Sequence, residues 1–277
     1  MSTGMYGNKA PSPVSPAEMV RWETLTSEDF ADKGKKALGR ERTDIPFEAW
    51  VTFVFDHPVP DADIITWRRK SGAVISQPWY VEHDRDWWDP SRQPSVTIAY
   101  LTNVFENAPH ALASFSDAQI KEGLWFLVSP ACSDHLLALL NPGVVWSERK
   151  RCIDSIFTLF EHFLALRCSP HLSHLDEPGA NPLNAVCYMW WDLLPVAGKP
   201  VDPTRKEIDE AFLDVMRRSL ELACDACQES ALHGLGHWHQ EYPTYVEAII
   251  ARFLERHPAL RSELKAYALA AQKGLVL

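Results

Sequence analysis

Apolar residues recur at helical spacing through the second half of the chain. Ile208, Ala211, Phe212, Val215, Ser219 and Leu222 follow one face, with Glu and Arg between them. Val246, Ile249, Ile250, Phe253 and Leu254 repeat the pattern, as do Leu260, Leu264, Tyr267, Ala268 and Ala271. Stripes of this kind mark helices that bury one side. Ile153, Ile156, Phe157, Phe160, Phe163 and Leu164 form a broader band, which predicts a central helix. Two further helices are expected over Ile98, Leu101, Phe105 and Ala108, and over Ile120, Leu124, Leu127 and Val128.

The polar positions between these stripes read as helix starts. Ser15-Pro16, Asn181-Pro182, Asp202-Pro203, Tyr242-Pro243 and His257-Pro258 each place proline where a first-turn N–H would lack an intrahelical partner. Ser116 followed by Gln119 predicts a capping box. Two stretches fit no period. One runs near 72–94, carries Trp79, Tyr80, Trp87 and Trp88 among acidic residues, and leaves room for a short strand at Ala73 to Ser76. The other, near 168–181, is rich in Pro, His and acidic residues. Long irregular segments within a domain are often functional.

On a helix turning about 100° per residue, Cys227, Ala231, Gly234, Leu235 and Trp238 share one face. Ala231, Gly234 and Gly236 are small where a neighbouring helix can approach closely. With those residues, Cys227 to Gly236 resembles a helix of HEAT or armadillo-type repeats. The resemblance covers the C-terminal quarter, and it implies stacked helical pairs and a protein-binding surface. No fixed period extends it upstream. The expected fold is therefore mostly α, an irregular α-α superhelix or a compact multi-helix domain. A flexible lead-in over 1–14 precedes a single helical domain over 15–277.

Composition narrows the function classes. A hydrophobic fraction of 46% with 23% charged residues excludes an intrinsically disordered chain. No apolar run approaches the roughly 20 residues a bilayer requires, and no secretory signal is visible, so no membrane role is expected and the cytoplasm is the expected location. Six cysteines scattered without a signal read as free core thiols. A formal net charge of −10 argues against nucleic acid and is compatible with a basic protein partner.

Candidate chemistry is sparse. Glu229, His233 and His237 lie four residues apart on a face opposite the cysteines. Histidines at that spacing can hold one metal ion, with Glu229 as a further ligand or base, or can form a polar face toward solvent or the next layer. The loop residues His171, His174 and Asp176 offer a second set for zinc or another divalent ion, with Glu177 as a base. Should that loop fold over the Glu229 face, the two sets would merge. Cys224 and Cys227 have the spacing of half a zinc knuckle but read as core thiols. Trp190 and Trp191 read as core. Trp87, Trp88 and Asp89, whose charges must stay wet, are candidates for contact with a basic partner.

The leading expectation is a non-enzymatic helical scaffold that binds a protein without a cofactor, in an inhibitor or immunity-type role. The alternative is a metal-dependent hydrolase using a His/Asp/Glu site. P-loop, dinucleotide-binding, GxSxG and EF-hand motifs do not occur.

Overall fold

The computed structural model describes residues 45–59, 79–81 and 93–276, all within one compact unit, Arg42–Leu277. The helix start at Ser15-Pro16, the short strand at 73–76 and the candidate contact residues Trp87, Trp88 and Asp89 lie outside the described residues. Among the described residues there is no strand. The fold is a mostly α, compact multi-helix domain. No described helix is long and apolar enough to cross a membrane.

The principal helices are α1 (Phe47–Phe55), α2 (Pro94–Glu106), α3 (Asp117–Val128), α4 (Trp146–Leu159), α5 (Pro182–Leu193), α6 (Lys206–Ser219), α7 (Asp225–Trp238), α8 (Pro243–Arg256) and α9 (Ser262–Ala271). Their starts follow the capping chemistry. Ser116 opens α3 with a capping box: its Oγ accepts from Gln119 N–H at 3.3 Å, and Gln119 Oε1 accepts from Ser116 N–H at 3.0 Å. Asn181 opens α5 by accepting from Leu183 N–H at 2.8 Å, with Pro182 in the first position. Pro243 opens α8.

Two starts fall later than the proline signals predict. The Asp202 carboxylate accepts from both the amide and the hydroxyl of Thr204, at 2.9 and 2.7 Å. That closes a turn around Pro203 and delays α6 to Lys206. After Pro258, Leu260 N–H closes a turn on the His257 carbonyl, and Arg261 is extended before α9 begins at Ser262.

The α5–α7 pair forms the centre. α7 packs against α5, α6, α8 and α9, while α5 also packs on α3. α4 lies between α2 and α6 and runs on through a π turn, Phe160–Leu164, where Phe160 meets the rings of Trp190 and Trp191. Both tryptophans are core residues. The close approach expected at the small residues of α7 is present. A Cβ on Gly234 would lie 2.5 Å from Trp191 Cγ and 2.8 Å from Met216 Sδ.

Ala226 to Gly236 are all buried. Position along the helix therefore does not separate an inner from an outer face until its last turn. Asp225 at its start is partly buried, and His237 is its one exposed residue.

Candidate metal centre

The stripe Glu229–His233–His237 faces the loop 168–181, α9 and the C-terminal end of α5. Each of its three residues meets a different neighbour. Glu229 has no solvent exposure. Its carboxylate accepts from the amides of Ser173 and His174, both at 2.9 Å, and pairs with His174 Nδ1 at 2.6 Å. A buried carboxylate needs such donors, because unpaired it would face a desolvation cost of several kcal/mol. Two further ties hold the loop. Asn184 on α5 receives the Ser169 amide, and Glu177 accepts from Leu172 N–H at 2.8 Å while pairing with Arg261 at 2.7 Å. Those bonds hold the Glu177 carboxyl below its ordinary range, the Arg261 guanidinium contributing most.

The loop thus folds over the Glu229 end of the stripe, and the two candidate sets meet through His174 and Glu229. They do not merge into one ligand set. His171 bonds Ser169 Oγ at 2.9 Å instead. Asp176, at φ 50°, ends the single turn Ser173–Leu175 in the left-handed region. Among the described residues, His171, His174 and Asp176 do not bring three ligand atoms together. Glu229 and Glu177, the two candidate bases, are both committed to holding the loop.

A different triad converges one turn further along. Asp192 at the end of α5, His233 and His237 place three ligand atoms within 4.8 Å of one another, the only such group among the described residues. His233 Nε2 and His237 Nε2 are 3.1 Å apart, and His237 Nε2 lies 3.7 Å from Asp192 Oδ1. Two ligand atoms on a tetrahedral zinc ion with Zn–N bonds of about 2.05 Å sit about 3.3 Å apart. The observed separations bracket that figure.

The surroundings suit His233 to an ion. Burial, then the neighbouring His237 and His174, depress its pKa to about 3, so the ring is neutral at ordinary pH. Its Nδ1 lies 2.7 Å from the Tyr267 hydroxyl, which in turn lies 3.2 Å from that of Tyr188. Burial raises both phenols, keeping their protons on oxygen. In the tautomer a metal requires, Nδ1–H donates to Tyr267, Tyr267 donates to Tyr188, and the Nε2 lone pair faces His237. An outer partner of this kind fixes ring orientation and ligand basicity. Tyr267 is itself held by stacking on His174 at 4.2 Å, so the loop and the triad share one wall.

Sequence reading found two of the three ligands. It missed Asp192 because that residue is far from α7 in the chain and follows two core tryptophans. Only the packing of α5 on α7 brings it in. No protein-family model, curated protein or solved structure matches this chain.

Proposed function

We propose that this chain binds a divalent transition-metal ion, zinc in the first instance, between Asp192, His233 and His237, and works as a metal-dependent hydrolase. The carrying observation is the convergence of those three ligand atoms within 4.8 Å. Structural zinc sites are closed by four protein ligands, whereas catalytic sites keep three and leave a position for water. Here Asp192 and His237 are exposed, so the open position faces solvent. The ion supplies the chemistry by lowering the pKa of bound water toward 7. That accounts for a site whose nearby carboxylates are occupied with the loop. Asp192 and the two imidazoles orient the ion, and Tyr267 fixes the inner ring.

Elemental analysis of untagged protein after zinc loading and desalting tests the reading. About one equivalent per chain is expected, lost in both Asp192→Ala and His237→Ala. A panel of nitrophenyl esters and phosphates should turn over only with the metal present. Metal-free protein after loading would end the proposal, and bound zinc without turnover would reduce it to a metal-binding protein.

A scaffold for a basic protein is a second reading. It is favoured by the net charge of −10 and by exposed Tyr245 and Leu269 on the outer helices α8 and α9. A low-salt pull-down that returns no stoichiometric partner would end it.

A further inference from the structure

Four of the six cysteines meet at the opposite end of α7. Cys224 is the N-cap residue of that helix, and Cys227 sits in its first turn. Cys187 on α5 directs its thiol at the Ala226 carbonyl, 3.6 Å away and one residue before Cys227. Asn184, one turn earlier on α5, brings up the fourth. Its Oδ1 accepts from Ser169 N–H at 3.0 Å and its Nδ2 donates to the Ser169 carbonyl at 2.9 Å, which sets Cys168 beside Cys187. The side chains then run in series: Cys168 to Cys187, Cys187 to Cys227, Cys227 to Cys224. The inner two are fully buried and the outer two half-buried. Cys132 and Cys152 lie elsewhere, against Tyr80 and Thr102.

The expectation of separate core thiols does not account for four in a row. A tetrahedral ion fits poorly, because sulfurs on one zinc sit about 3.8 Å apart, and no three of these converge within 4.8 Å. Pairwise contact in a row suits disulfides. A cysteine at the N-cap with a second in the first turn is also the placement of a redox-active CxxC, where first-turn amides favour a thiolate.

We propose that Cys168, Cys187, Cys227 and Cys224 form an oxidation site that reduces a hydroperoxide and stores the oxidising equivalent as a disulfide. Cys224 is the half-buried entry point beside its partner Cys227. The Cys224 and Cys227 thiols hydrogen-bond one another.

The step balances. The Cys224 sulfur attacks one oxygen of hydrogen peroxide, the O–O bond breaks, and the departing hydroxide takes the Cys224 proton as water, leaving Cys224 sulfenic acid. The Cys227 sulfur then displaces hydroxide from the sulfenic sulfur, and that hydroxide takes the Cys227 proton as a second water. Two thiols and one peroxide become one disulfide and two waters, and two electrons pass from sulfur to oxygen. Cys187 can next attack the Cys227 sulfur and release Cys224 as a thiol, moving the disulfide inward without further oxidant.

The test treats the reduced full-length chain with one equivalent of hydrogen peroxide, then counts thiols under denaturing conditions and maps peptides without reduction. Two of the six thiols should be lost, with linkage Cys224–Cys227 or its exchange product Cys187–Cys227. Cys224→Ser should slow thiol loss at least tenfold while melting as the parent does, and Cys132→Ser should behave as the parent. Linkage through Cys132 or Cys152 would overturn the proposal. So would survival of all six thiols under conditions that consume free cysteine, or retained zinc that Cys224→Ser releases.

Discussion

Helices α7 and α8 are neighbours of equal length, fourteen residues each, and they carry opposite kinds of information. In α8 the apolar stripe Val246, Ile249, Ile250 and Phe253 is buried, while Arg252 and Glu255 are exposed. Its period states which side is inward. In α7 nearly every residue is buried, so polar and apolar positions alike face protein. The meaning of each polar side chain there is set by the element opposite it. A periodic helix reports its own orientation, whereas a central helix reports its neighbours.

The sharpest way to expose that contrast is bulk. Gly234→Leu would drive a side chain into Trp191 and Met216. We expect a loss of about 4 kcal/mol, at the upper end of overpacking effects, or failure to fold. Glu255→Ala on the exposed side of α8 should change stability by less than about 0.5 kcal/mol. Urea denaturation of the two variants makes the comparison directly. Similar losses in both would mean that α7 is not the tightly enclosed helix.

Removing the buried charge comes next. Glu229→Ala strands the Ser173 and His174 amides, and we expect a cost of about 3 kcal/mol from the unsatisfied donors. Amide exchange should accelerate over 169–177 first. Unchanged protection there would mean that the loop is held by other contacts.

Acidification should produce a smaller loss at each buried histidine, at His233 on α7 and at His135 away from it. His135 is fully buried, and burial depresses its pKa to about 3. Its Nε2 accepts from Trp50 Nε1–H at 3.1 Å, and its Nδ1 lies 2.9 Å from Ser133 Oγ, so a proton on Nε2 would oppose the indole N–H. The unfolded chain, with a histidine pKa near 6.5, binds that proton first. Stability is therefore full above about pH 6.5 and declines as pH falls toward 3. By pH 4.5 His135 alone should cost about 2.7 kcal/mol. Flat stability between pH 7 and 4.5 would contradict its burial as a neutral ring.

A small effect on folding is also expected at the exposed end of α7. His237→Ala should shift stability by less than about 1 kcal/mol while abolishing zinc retention. A variant that kept its zinc would remove His237 from the ligand set.

Much of the architecture is legible because it is local. The Ser116–Gln119 box, the Asn181 cap and the stripe of α8 depend on residues within a turn of one another. The delayed start of α6 is less visible, since it hangs on how the Asp202 side chain turns back to Thr204. The candidate site is only half legible. His233 and His237 stand out by spacing on one helix, but Asp192, the His174–Glu229 pair and the row of thiols arise where α5, α7 and the loop pack. No short-range pattern in the chain records those meetings.

One feature of that loop bears on how the sequence can drift. Glu229 and Glu177 hold it through the backbone amides of Leu172, Ser173 and His174, in addition to one imidazole. An amide is the same at every residue but proline. Over evolutionary time the side chain at 173 is thus constrained by little beyond the exclusion of proline, its hydroxyl making one long bond of 3.4 Å to the Asn184 carbonyl. The two glutamates, far away on α7 and at the loop's end, carry the constraint in its place. Divergent descendants of this chain would keep the path of the loop after losing most of its letters.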